Sequence, residues 1–321
     1  MNRMRAPLAR GTTVTDRAMV QGRAVAWAAA LFVALLAGAA TWWPRPASRS
    51  TGPVVVVLDP VADERRALTV WPALGRVLAA GSTMPPEVVI THTLAEFQGV
   101  VAARPDFVVC PDGAALGLDT TRWAPLAAGR RAAPRNLRPR GVLVSRAGSG
   151  DAAEPWLSEP ASVIFGDSLS LCATGALRPS GTAVAPMPVG VAWGPDPYDH
   201  APALHALRLG RYEYAVVRQW DAERFMAQGL LLTEDWSVRD LTVPVPDLVV
   251  LAARDLPAAE RLARGDRLAG IGRELADRTP AERDLAAALP VVGLAGFNLL
   301  VEPDFELVQK NFAADWPRSR R

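Results

Sequence analysis

The chain has 321 residues, 50% hydrophobic and 21% charged, with a formal net charge of +2. It can therefore bury one large core or two smaller ones, and it is neither a disordered chain nor a coiled coil. Lys310 is the only lysine among 35 basic residues, and 33 acidic residues nearly balance them, which argues against a nucleic-acid partner. Two cysteines, Cys110 and Cys172, exclude a Cys-based structural zinc site and allow at most one disulfide, while three histidines limit metal and acid–base chemistry. No metal site and no cofactor is expected.

Residues 24–43, AVAWAAALFVALLAGAATWW, carry no charge. At about 1.5 Å per residue such a helix spans a hydrocarbon core of roughly 30 Å. Arg3, Arg5, Arg10, Arg17 and Arg23 precede it against the single acid Asp16, so residues 1–23 are expected as a cytoplasmic tail and everything after Trp43 outside. Ala37-Gly38-Ala39 also matches a signal-peptidase site. The segment thus reads as a transmembrane anchor or a cleaved signal peptide, giving an exported domain that is tethered to the membrane or released from it.

Residues 44–53, PRPASRSTGP, form a polar, proline-containing linker. VVVVLD (54–59) reads as a buried strand, and Leu68, Trp71, Leu74, Val77 and Leu78 give helical spacing over 63–80. The alternation continues with EVVITH (87–92), a helix over 94–103, and DFVVC (106–110) ending in the loop Pro111-Asp112-Gly113. Five prolines interrupt residues 122–160, although GVLVSR (141–146) within them reads as a strand. A second lobe then follows with SVIFGD (162–167), VGVAW (189–193), a helix near 201–209 and YEYAVV (212–217). LTVPVPDLVVLAARDLP (241–257) reads as a returning strand, followed by helices over 257–289. The expected organisation is a first lobe of residues 54–125 and 243–321 and a second of 126–242.

In open α/β sheets ligands meet the carboxyl ends of strands, where loops lead into helix N-termini. The polar residues and glycines expected there are Asp59, Asp112, Gly113, Ser168, Ser170, Thr174, Gly175, Asp199, His200, Arg218 and Asp247. Hydroxyls and backbone N–H groups with a histidine would suit a compact oxyanion; helix capping and a solvated turn would account for the same residues. Gly166-Asp167-Ser168-Leu169 matches the G-D-S-L signature of the esterase family named for it, in which the serine is the nucleophile. That family places the motif on its first strand and an Asp-x-x-His pair near the C-terminus. Here at least three strands precede it, and no histidine follows His205.

Three segments carry a broader resemblance. VIFGDSLSLCATGALRP (163–179), YDHAPALHALRLGRYEYAVV (198–217) and VPVPDLVVLAARDLPAAERLARG (243–265) resemble, in that order, motifs of the extracytoplasmic solute-binding proteins of phosphonate, phosphite and phosphate ABC transporters. GLAGFNLLVEPDFELV (293–308) resembles their ending. The resemblance implies a two-lobed, type 2 periplasmic-binding-protein-like α/β fold, here behind the N-terminal transmembrane helix, and hence a periplasmic domain anchored to the inner membrane, or one secreted to the periplasm if the segment is cleaved. It implies a binding protein, not an enzyme, that closes by a hinge over a small oxyanion and delivers it to an ABC permease. By that resemblance Ser168 and Ser170 match the serines of the oxyanion loop, His200 the phosphonate-contacting histidine and Asp247 the acid of the return strand. Leu169 replaces the central hydroxyl, and Thr174-Gly175 supply an alternative hydroxyl and turn. Arg218 falls near the place of an acid that meets an ammonium in amine-bearing phosphonate binders, so it favours a second anionic group. Asp112, with Gly113 beside the cleft, would repel a dianion unless it accepts a hydrogen bond from a protonated ligand. The alternative readings are a G-D-S-L-type serine esterase using Ser168, and a ligand-sensing domain of the same fold without a transport role.

Overall fold

The computed structural model describes residues 52–131, 139–149, 154–177, 188–272 and 278–312. The expected cytoplasmic tail and membrane segment, 1–23 and 24–43, lie outside them. Among the described residues no helix is long and apolar enough to cross a membrane.

Strands β1 (Val54–Leu58), β2 (Glu87–Thr91), β3 (Phe107–Pro111), β4 (Trp123–Arg131), β10 (Leu248–Ala253) and β11 (Leu294–Leu299) form one sheet in the order β11-β4-β10-β3-β1-β2. β1 runs parallel to β2 and β3, whereas β10 is antiparallel to β3 and β4, and β11 to β4. The run of four valines in β1 follows from burial on both faces, because side chains alternate along a strand. Val55 and Val57 enter the core built by Trp71, Leu74 and Phe107, and Val56 and Leu58 enter the one built by Phe97, Val101 and Cys110. Helices α1 (Trp71–Leu78) and α2 (Leu94–Ala102) supply those two layers. A π-helical turn, Arg66–Val70, precedes α1. Its wider winding shifts the phase of the residues before Trp71, so Arg66 turns inward and Leu68, expected in the core, is 68% exposed.

The second sheet contains β5 (Gly141–Arg146), β6 (Val163–Phe165), β7 (Ala192–Trp193), β8 (Tyr214–Arg218) and β9 (Trp236–Asp240), in the order β7-β6-β8-β5-β9. Val142, Val144, Ala215 and Val217 pack on one face against Leu204 and Phe225, and Leu143, Phe165 and Val216 on the other against Trp156. The chain passes between the sheets twice, from β4 to β5 and from β9 to β10.

Three strands correct the expected plan, β4, β9 and β11, the last lying at the edge of the first sheet where no strand was expected. β4 runs through the boundary drawn at 125/126 and belongs to the first sheet up to Arg131. Pro125 is tolerated in it because β11 pairs only from Ala127 onward, and the β10 register shifts between Val250 and Leu251. β9 is an edge strand with an exposed face, so it lacks the apolar run by which strands are read. Cys110 and Cys172 are both buried free thiols, one in each lobe.

Candidate functional site: the junction between the lobes

The loop after β6 is organised by Asp167. Its Oδ1 accepts the amides of Leu169 at 2.5 Å and Ser170 at 2.6 Å, an Asx-type turn that aims the chain into helix α4 (Leu171–Thr174). Its Oδ2 accepts the Ser170 hydroxyl, and His200 Nε2 lies 2.8 Å away. The Arg218 amide donates to His200 Nδ1 at 2.8 Å, so Nδ1 is the acceptor and the ring proton sits on Nε2, donated to Asp167. Burial alone would raise the Asp167 carboxyl, but hydrogen bonds from His200, Ser170 and Leu169 outweigh it and hold it below the usual carboxylate range. Gly166 accommodates this pair: a Cβ there would lie 2.4 Å from His200 Nδ1. The Gly-Asp of the G-D-S-L string therefore seats an imidazole and shapes a turn.

The sequence-predicted residues separate into two groups. Ser170, Thr174, Gly175, His200, Arg218, Asp247, Asp112 and Gly113 are all buried around this junction, whereas Ser168 is exposed. Thr174 returns its hydroxyl to the Ser170 carbonyl at 2.9 Å, and Gly175 is an ordinary right-handed helical residue. Both ring nitrogens of His200 are engaged, so Ser168 has no imidazole base there.

Asp112 opens α3 (Asp112–Ala115) in the first lobe, and its Oδ1 accepts the amide of Leu171 in the second at 2.9 Å as well as that of Gly113. A carboxyl oxygen of the chain thus takes the first amide of α4. Its Oδ2 is buried and unpartnered. Burial pushes the Asp112 carboxyl well up; the Leu171 amide opposes this, and Asp247 and Asp167 add to it.

The remaining contacts tie the lobes together. Arg218 is fully buried, with Nη1 2.9 Å from Asp221 and Nη2 2.9 Å from Asp247. Arg131 reaches Asp247 at 2.6 Å and the Tyr198 carbonyl at 2.7 Å. At the other end of the junction Arg66 grips Asp196 with two nitrogens at 2.6 and 3.2 Å, and the Tyr198 hydroxyl donates to the Leu58 carbonyl at 2.5 Å. Asp59 holds Trp71 Nε1 at 2.7 Å and lies 3.4 Å from Arg66. Arg66, Arg131, Asp167, Asp196 and Asp221 had no site role in the sequence pattern. For Asp167 a signal existed, an Asp two and three residues before the amides that begin a helix; Arg66 and Arg131 were hidden by the π turn and the proline-bearing strand. Among the described residues no group of three or more His, Cys, Asp or Glu side chains could hold a metal ion.

Asp112→Asn is expected to change the pH profile of stability. A carboxyl whose folded-state pKa is raised binds its proton more tightly when folded, so its contribution is complete below the unfolded value and lost as pH rises through the folded one. Asn keeps the acceptor for Leu171 and Gly113 and cannot ionise. The variant should gain about 1–3 kcal/mol at neutral and alkaline pH, a gain that fades below about pH 4. Urea titrations from pH 4 to 9 check this; parallel curves for the two proteins would contradict it.

No protein-family model matches the chain, and no curated protein matches it. Solved structures do. The protein XAC2383 of Xanthomonas citri bound to chloride ion is 15% identical, with 82% of this chain and 97% of that one covered at a TM-score of 0.53. PhnD1 of Prochlorococcus marinus in complex with methylphosphonate is 11% identical, over 81% and 96%, at 0.53. A binding protein component of an ABC phosphonate transporter from Pseudomonas aeruginosa is 14% identical, over 81% and 87%, at 0.50. The likeness to phosphonate-transporter binding proteins read in the sequence thus holds at the level of architecture: the chain has the two-lobed α/β fold of periplasmic binding proteins.

Proposed function

We propose that the protein is an extracytoplasmic domain of binding-protein fold whose closed form is held by its own side chains, and that it serves as a sensing or scaffold domain, not as a carrier of phosphate. The observation that carries this reading is the Asp112 carboxyl seated on the Leu171 amide, at the helix start that the sequence resemblance assigns to an oxyanion. The other expected contacts are also spent: Ser170 and His200 on Asp167, and the two Nη groups of Arg218 on Asp221 and Asp247. With Asp112, Asp167, Asp221 and Asp247 all buried there, a dianion would meet acids and few unengaged donors. Location outside the cytoplasm rests on the uncharged segment 24–43 and the arginines before it, which would also tether the domain to the membrane.

A second reading keeps the carrier role for phosphate, phosphite or a phosphonate, with an ABC permease as partner. Two buried atoms without partners favour it, Arg218 Nε and Asp112 Oδ2. A singly protonated oxyanion could accept from the first and hydrogen-bond with the second after displacing Leu171.

Thermal denaturation with phosphate, phosphite or methylphosphonate separates the readings. A ligand at a hundred times its dissociation constant adds about 2.7 kcal/mol. No shift in the wild-type chain at millimolar concentration is the expected result. A clear upward shift with any of the three would overturn the self-closed reading and restore the carrier.

A further inference from the structure

A cavity of about 500 Å³ lies beside Arg131 and Asp221, between the second-lobe helix α6 (Gln219–Ala227) and first-lobe residues 290–295, which run into the start of β11. Trp220 and Ala227 line it from α6, and Pro290, Leu294 and Ala295 face them from the first lobe. Its volume is that of a small-molecule site, several times what a phosphate needs, and such sites are mostly apolar with a few fixed polar groups.

Two of the charges in its wall are matched by ion pairs, and Glu223, at the exposed rim, accepts from the Gln219 side-chain amide at 2.8 Å. Arg131 is bound to Asp247, and Asp221 is held between Arg218 and Arg224 at 2.9 and 3.0 Å. Burial tends to raise the Asp221 carboxyl, but Arg218, then Arg131 and further cations, bring it down to about 2, so it stays ionised and paired. Arg224 differs because its side chain is 42% exposed and its second partner, Asp199, is 44% exposed. An exposed pair of this kind is weak and exchangeable. Trp220 offers an aromatic face for stacking, and aromatic pairs add about 0.5–1.5 kcal/mol beyond burial.

We propose that this cavity is a ligand site for a flat, largely apolar small molecule carrying one anionic group, with the ring system between Trp220 and Leu294 and the anion on Arg224 in place of Asp199. Because its walls come from both lobes and Arg131 belongs to the ionic lock, an occupant stabilises the closed form. The site does not depend on whether the place at Leu171 binds an oxyanion.

The probe is 8-anilinonaphthalene-1-sulfonate, which is aromatic, bears one sulfonate and fluoresces when removed from water. Titrated into the folded chain it should saturate at one probe per protein and raise the melting temperature. Ala227→Trp, on the exposed end of α6, and Ala295→Trp, on the edge strand β11, each fill part of the cavity without touching the Asp112 contact. Weakening of tenfold or more in either variant, with melting temperature in the absence of probe unchanged, supports the site. Absence of saturation, more than one probe per chain, or undiminished binding in both variants overturns it. Arg224→Gln should weaken the sulfonate probe but not its uncharged analogue N-phenyl-1-naphthylamine; equal loss for both would overturn the assignment of Arg224.

Discussion

Arg218→Met is expected to lower the unfolding free energy by about 3–5 kcal/mol, the range for removing one partner from a buried ion pair. Methionine fills much of the volume, so the loss is chiefly electrostatic. Asp247 keeps Arg131 and Asp221 keeps Arg224, yet each loses a contact of 2.9 Å inside the protein, and the Pro197 carbonyl loses its donor at 2.7 Å. The pH dependence identifies the cause. Asp221 is held down to about 2 in the folded chain, so its stabilisation is present above the unfolded value near 4 and disappears as pH falls toward 2. The gap between wild type and variant should therefore narrow over that interval. Arg218→Met combined with Asp221→Leu should recover part of the loss, because the uncompensated carboxylate is gone. Guanidinium chloride unfolding of the three proteins at pH 3 and 7 measures this. A single-variant loss under about 1 kcal/mol would mean that Arg218 is as replaceable as an exposed arginine.

The architecture was legible in this sequence because its strands are buried on both faces. VVVVL and FVVC are runs that few other structures accommodate, and the helices between them carry apolar stripes. β4, β9 and β11 were not legible as strands: the first contains a proline allowed by an irregular register, and the other two are sheet edges without a continuous apolar run. The site was legible as a place but not as a set of bonds. Eight of the predicted positions do fall at the junction of the lobes, since strand ends gather there whatever the ligand. Their partners could not be read, because Asp112 and Leu171 are 59 residues apart and Arg66 and Asp196 are 130 apart. A serine hydroxyl offered to a ligand and one bonded to Asp167 look identical in one dimension. Ser168 shows the converse, an exposed residue given weight by a four-letter string whose glycine and aspartate have local structural tasks.

Gly113→Ala should act as a wedge between the lobes. Gly113 follows Asp112 at the start of α3, and a Cβ built on it would lie 2.1 Å from the Leu169 carbonyl oxygen and 3.0 Å from its carbon. The obstacle is backbone, so no side-chain rotation relieves it. Moving α3 within its own lobe would disturb Cys110, Ala114 and Ala115, which are packed in one core. Separating Gly113 from Leu169 instead lengthens the neighbouring Asp112–Leu171 bond and then loads Arg218–Asp247 and Arg66–Asp196. A single methyl group is thus converted into an opening motion, at a cost of about 1–3 kcal/mol for overpacking plus the bonds lost. Small-angle scattering should give a larger radius of gyration for Gly113→Ala, while far-ultraviolet circular dichroism stays unchanged because each sheet is intact. Amide exchange should quicken at Leu171, the donor that Asp112 releases, and remain slow at Val56 and Val216 in the centres of the two sheets. An unchanged radius together with protected Leu171 would mean that the wedge is absorbed inside one lobe, and that contacts other than this carboxyl hold the two halves shut.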